Sequence, residues 1–113
     1  MFKFTVDRRN WYRGKGASAS RLVRGDGKMC CVGFYGKACG IEEKDMLGVT
    51  RISKIDPRID LPEQVNNEFI KYISYIVSRI YSVNDAIFYD SEYRESKLKE
   101  LFAKLDIEVE FIN

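Results

Sequence analysis

The residues best suited to chemistry lie in one early stretch of the chain. Trp11 and Tyr12 stand side by side, and Arg13, Lys15, Arg21, Arg24 and Lys28 follow them. Ser18, Ser20 and the glycines Gly14, Gly16, Gly25 and Gly27 fill the spaces between. Each type has a use in holding a phosphate-bearing ligand. Indole and phenol faces stack on a base. Guanidinium forks and ammonium groups hold phosphate oxygens. Glycines let backbone N–H groups approach an anion closely, and serine hydroxyls add donors. The predicted ligand-binding set is therefore Trp11, Tyr12, Arg13, Lys15, Ser18, Ser20, Arg21, Arg24 and Lys28. Two plainer readings stand beside it: Trp11 as a core anchor at the base of the loop, and the arginines as a solvated surface.

Catalytic and metal chemistry find little to work with. The chain has no histidine, which removes Ser-His-Asp and Cys-His nucleophile pairs and most zinc sites. Cys30 and Cys31 are adjacent and Cys39 lies eight further on, so they lack the CxxC pairing of a zinc knuckle. Placed on one helix they do not bridge each other, and reduced, buried thiols are the plain expectation. Cys30, beside Lys28 at a helix start, also admits a reading as a thiol of lowered pKa. Gly14 to Ala19 matches GxGxxA, but no strand directly precedes it and no βαβ series surrounds it. Gly27-Lys28-Met29 lacks the remaining residues of a phosphate loop. The expectation is a chain with no catalytic residue, no metal and no cofactor.

The elements that must position the basic loop are legible on either side of it. Behind it runs Gly27-Lys28-Met29-Cys30-Cys31-Val32-Gly33-Phe34-Tyr35-Gly36-Lys37-Ala38-Cys39-Gly40. Cys31, Phe34, Tyr35, Ala38 and Cys39 recur at helical spacing, which predicts a buried central helix. Gly40 suits its left-handed stop. Gly33 and Gly36 cost about 1 kcal/mol each inside a helix, which makes sense if another backbone packs close. In front of the loop, Phe2, Phe4 and Val6 alternate with Lys3, Thr5 and Asp7, a half-buried strand. Ile107, Val109 and Phe111 alternate with Glu108 and Glu110 in the same way, and the opposite outward charges predict that the two terminal strands pair.

Between these lie a short helix over 41–48 and an irregular stretch with a short strand at 49–52. A long amphipathic helix follows, capped by Asp60 and with Val65, Phe69, Tyr72, Ile73, Ile76, Val77 and Ile80 on one face. After a linker in which Ile87 and Phe88 are candidate core residues comes a last helix, capped by Asp90 or Ser91 and buried through Leu98, Leu101, Phe102 and Leu105. The prediction is one domain over residues 1–113, of α+β class. Three to four helices pack on a small sheet formed mainly by the N- and C-terminal strands.

Charge is divided unevenly along the chain. Residues 1–40 hold nine Lys/Arg against Asp7 and Asp26, a net +7, and residues 41–113 hold ten against fifteen Asp/Glu, a net −5. Such polarity predicts an anionic partner for the N-terminal part, or head-to-tail association into a homo-oligomer. No run of 18 apolar residues occurs, so no membrane partner is expected.

Trp11-x-Arg13-Gly14, the block Gly27-Lys28-Met29-Cys30-Cys31-x-Gly33-Phe34 with Ala38-Cys39-Gly40, and the ending Ile107-Glu108-Val109-Glu110-Phe111 resemble a group of small phage and prophage proteins of Gram-positive bacteria. The Gly-Lys-Met-Cys-Cys block is a family tag, not a functional motif. The resemblance implies context: a small accessory protein acting in the cytoplasm of the bacterial host. By analogy with such proteins, the expected function is non-enzymatic anti-defence, by sequestering an anionic, phosphate-bearing nucleotide signal in the basic loop. The alternatives are an inhibitor that binds a host defence protein directly, and a small nucleic-acid-binding protein.

Overall fold

The computed structural model describes residues 1–66 and 75–113. Strand β1 (Phe2–Asp7) and strand β2 (Ile107–Ile112) pair, as their patterns predict, and they do so in parallel. The register sets Phe2 opposite Ile107, Phe4 opposite Val109 and Val6 opposite Phe111 on the inner face. Lys3 and Glu108 meet on the outer face, 3.5 Å apart and both well exposed. That pair contributes little; the alternation of apolar residues fixes the register, because a one-residue slip would turn every side chain to the wrong face. Parallel pairing of the two termini makes everything between them one long crossover connection.

Helix α1 (Cys31–Cys39) packs on β1, and Tyr35 brings its ring to Phe2 and Phe4 at centroid distances of 5.7 and 5.5 Å. Gly40 ends the helix at φ 111°, donating its N–H to the Gly36 and Lys37 carbonyls, the expected left-handed stop. The need for small residues is also met. A Cβ on Gly33 would lie 1.9 Å from the Leu22 carbonyl oxygen, so the loop backbone passes against the helix where a side chain would be. This contact turns the helix relative to the predicted stripe. Val32, Gly33 and Gly36 are buried with Cys31 and Tyr35, whereas Ala38 is exposed and Phe34 and Cys39 are half-buried.

Helix α2 (Glu43–Met46) follows, with its acidic residues early. No strand forms at 49–52; a 3-10 turn at Ile52–Lys54 buries Ile52, whose N–H donates to the Tyr81 hydroxyl at 3.0 Å. Helix α3 (Glu63–Val65) starts after Pro62, which occupies the capping position predicted for Asp60. Phe69, Tyr72 and Ile73 of the predicted long helix lie outside the described residues. Its later part is helix α4 (Tyr75–Asp85), with Val77, Ile80, Tyr81, Val83 and Asn84 buried. Helix α5 (Ser91–Ala103) is capped by Asp90, whose carboxylate accepts the Tyr93 N–H at 2.8 Å. Leu98, Leu101 and Phe102 face the core, and Phe102 meets Phe4 at 5.1 Å. Ile87 and Phe88, expected in the core, are instead 65% and 83% exposed, because the turn from α4 to α5 carries them out over the surface. The fold is α+β, with helices packed on the two terminal strands. Among the described residues no helix is long and apolar enough to cross a membrane.

Candidate functional site

The basic loop is held at both ends and in the middle. The Tyr12 N–H donates to the Met29 carbonyl (2.8 Å) and the Met29 N–H to the Asn10 carbonyl (2.9 Å). Leu22 and Val23 are buried and tie the loop to the segment after α2, with the Leu22 N–H on the Val49 carbonyl at 2.8 Å. The Gly14 and Gly16 N–H groups donate to the Asn84 and Asp85 carbonyls at the end of α4, each at 2.9 Å. Both glycines have positive φ, which a side chain would resist.

Asn84 is the hinge pin of this arrangement. It is 1% exposed, and its amide uses all four of its hydrogen-bonding capacities. Its Oδ1 accepts the Trp11 indole N–H at 2.8 Å and the Cys31 backbone N–H at 3.0 Å. Its Nδ2 donates to the Tyr12 carbonyl at 3.2 Å and to Asp85 Oδ1 at 3.0 Å. One side chain thus joins the loop base, the start of α1 and the end of α4.

The nine predicted ligand-binding residues divide among three settings. Trp11, Tyr12, Arg13, Lys15 and Lys28 line a concavity of about 390 Å³, together with Gly14, Ile87, Tyr89, Ser91 and Arg94. Ser18, Arg21 and Arg24 line a second, of about 480 Å³, with Ala19, Gly25, Leu47 and Gly48. Ser20 lines neither: it is buried, and its hydroxyl donates to Asp85. Trp11 also needs correction as a stacking platform. It is 3% exposed, its ring lies 4.9 Å from that of Phe111, and the Arg13 guanidinium covers it at 4.4 Å. The core-anchor reading of Trp11 is the one its burial fits.

The smaller concavity concentrates charge. Arg13, Lys15, Lys28 and Arg94 line it without an acidic neighbour in the wall, and none of the four joins an ion pair among the described residues. Glu95 of α5, whose charge also acts on Arg13, is engaged by Arg8 through two bonds of 2.7 and 2.8 Å. Arg13 donates to the Arg8 and Trp11 carbonyls at 3.3 and 3.1 Å. Arg94, 4% exposed, donates to the Val83 and Asn84 carbonyls at 2.6 and 3.1 Å and to the Tyr89 carbonyl at 2.9 Å. It thereby caps the C-terminal end of α4, where a cation is favoured. Burial lowers the pKa of both arginines, and the positive charge of Arg13 lowers that of Arg94 further. Glu95 acts in the opposite sense on Arg13, and Asp85 on Arg94.

Arg94, Tyr89 and Ser91 line this concavity, and the sequence did not disclose them. They sit about seventy residues beyond the loop in a charged helix start, and the only local signal there was the Asp90–Ser91 cap. Gly14 makes room for Arg94: a Cβ on the glycine would lie 2.9 Å from Arg94 Nη2.

The larger concavity is less charged. Arg21 spends its guanidinium on the Ser18 and Ser20 carbonyls at 3.0 and 2.7 Å. Arg24 donates to the Ala19 carbonyl at 2.7 Å and lies 3.8 Å over the Tyr12 ring. The cysteines take no part in either. Cys30 is wholly buried, and burial pushes its thiol up to about 12, which overturns the reading of a lowered pKa beside Lys28. Burial likewise raises Cys31, and pushes half-buried Cys39 up to about 11. Among the described residues no group of His, Cys, Asp and Glu is arranged to hold a metal ion. No protein-family model matches the chain, and neither does any curated protein or solved structure.

Proposed function

We propose that this chain is a non-enzymatic binding protein that sequesters a phosphate-bearing nucleotide in the concavity between the basic loop and the start of α5. The observation that carries the reading is the convergence of Arg13, Lys15, Lys28 and Arg94 on one opening whose described lining holds no carboxylate. Four cations in one wall raise the local potential for an anion. Tyr12 and Tyr89 supply aromatic wall for a base or ribose, and Ser91 a hydroxyl at the positive end of a 13-residue helix. The lining offers neither histidine nor carboxylate to move a proton, which favours capture over turnover. The phage context of the resemblance turns capture into anti-defence: the protein removes a nucleotide signal from the host cytoplasm.

Calorimetry with a panel of mononucleotides, cyclic nucleotides and ADP-ribose tests this, with ligand integrity checked by chromatography afterwards. The expected result is binding that weakens with salt and returns the ligand unchanged. Lys15 and Lys28 are exposed, so the charge reversal K15E/K28E should abolish binding while leaving the unfolding midpoint nearly in place. No heat across the whole panel overturns the proposal.

A second reading rests on a different observation. Ile87, Phe88 and Tyr93 are exposed at 65%, 83% and 48% beside the same opening, an apolar group of the kind that marks protein contacts. It favours direct inhibition of a host defence protein, and Phe88→Glu should then abolish biological activity without touching nucleotide binding.

A further inference from the structure

The two concavities on the loop are neighbours separated by one pair of side chains. Arg24 lines the larger and Tyr12 the smaller, and the Arg24 guanidinium lies 3.8 Å over the Tyr12 ring. The backbone closes the same boundary, with the Arg24 N–H on the Lys28 carbonyl at 2.8 Å. Arg24 is fixed in this position by the Ala19 carbonyl at 2.7 Å, while its contacts with Asp26 are long, at 3.4 to 3.5 Å. The divider is therefore preformed and has an open guanidinium edge, since the Asp26 carboxylate holds it only loosely.

The chemistry on the two sides differs. Arg13, Lys15, Lys28 and Arg94 dominate the smaller side. The larger side presents Leu47, which is 55% exposed, beside Gly25 and Gly48, whose lack of side chains leaves the floor clear for a flat group. Volumes of about 390 and 480 Å³ each sit low in the range of about 300–1,000 Å³ usual for small-molecule sites. A ligand that used both would carry its phosphates against the four cations and lay a second, apolar ring across Arg24 onto Leu47.

We propose that the two concavities form one bipartite site for a dinucleotide, two nucleosides joined through phosphate, with one nucleotide on the Arg13–Arg94 side and the other nucleoside against Leu47. This rests on the anion-binding reading above and adds the class of ligand. Joining two weakly held halves makes the second contact intramolecular, at an effective concentration near the millimolar range for a short link. The dinucleotide should gain well beyond either half.

Calorimetry on the full chain compares AMP with the linear dinucleotide pApA, for the parent protein and for Leu47→Glu. Leu47 is exposed and outside the cation cluster, so the variant keeps the fold and the phosphate contacts. The expected result is a pApA affinity at least about tenfold above that of AMP, with Leu47→Glu removing the gain and leaving AMP within about twofold. Detectable pApA binding with AMP too weak to measure supports the proposal equally, provided Leu47→Glu abolishes it. Equal affinity for the two ligands, or a gain that survives Leu47→Glu, overturns the bipartite site while leaving anion binding intact. Absence of binding by either ligand removes the underlying reading as well.

Discussion

Asn84→Ala is the sharpest test of how this fold holds its loop. The substitution removes the acceptor of the Trp11 indole N–H and of the Cys31 N–H, two donors on residues 3% and 0% exposed. A buried donor left without a partner costs about 1–3 kcal/mol. The Tyr12 carbonyl loses its donor as well, but Asp85 keeps Ser20. The terms overlap, because one relaxation serves all of them, so about 3–4 kcal/mol is expected in place of the full sum. That is a large share of the stability of about 5–15 kcal/mol usual for a domain. Urea unfolding followed by the fluorescence of Trp11, the single tryptophan, measures it. Asn84→Asp separates the two halves of the amide: it keeps the acceptor for Trp11 and Cys31 but sets a carboxylate against Asp85. Trp11→Phe should cost less than Asn84→Ala, and the double variant, followed by circular dichroism, should cost less than the two single variants added together. Loss of under about 1 kcal/mol in Asn84→Ala, with additive behaviour toward Trp11→Phe, would refute the claim that this amide is the joint of the site.

Gly33→Ala should be among the most damaging single changes, at about 3 kcal/mol or more, because its Cβ would lie 1.9 Å from a backbone oxygen that no rotamer change can move. Gly36→Ala is its control: there the Cβ meets the Met46 sulfur at 2.8 Å, the flexible end of a side chain, and a much smaller shift of the urea midpoint is expected. Gly14→Ala should lower stability as well as weaken nucleotide binding in calorimetry, since φ is +70° and the added methyl displaces Arg94 Nη2. For the cysteines, the folded state keeps Cys30 protonated up to about 12, against an ordinary value of 9.0. The unfolded chain releases that proton first, so stability should fall as pH rises from about 9 towards 12. In native protein near pH 8, a thiol reagent should reach Cys39 slowly and Cys30 and Cys31 only on unfolding.

Much of this architecture could be read along the chain because it rests on local repetition. Period-two alternation marks Phe2–Val6 and Ile107–Phe111, and their shared pattern predicts their pairing; Gly40, Asp90 and the Leu98–Phe102 face follow from helix chemistry within one or two turns. The errors fall where local pattern and tertiary contact compete. Ala38 fits the periodic stripe but is exposed, because α1 turns its glycine face to the Leu22 carbonyl. Ile87 and Phe88 are apolar and yet lie outside, because the α4–α5 turn seats Tyr89 against the core in their place. Trp11 and Ser20 have the right chemistry for a ligand and spend it on Asn84 and Asp85.

The sequence by itself determined the fold class, the strands that close it, the helix that ends at Gly40 and the stretch of chain that carries the cations. These depend on periods of two and 3.6 residues and on the backbone preferences of single residues, which act at short range. Tertiary structure alone decided which of those cations share an opening. Arg94 joins Arg13 across some eighty residues, Arg21 and Arg24 turn to a second hollow, and the parallel sense of the strands sets the course between them. Convergence of that kind depends on packing between distant segments, for which a linear pattern of charges carries no signal.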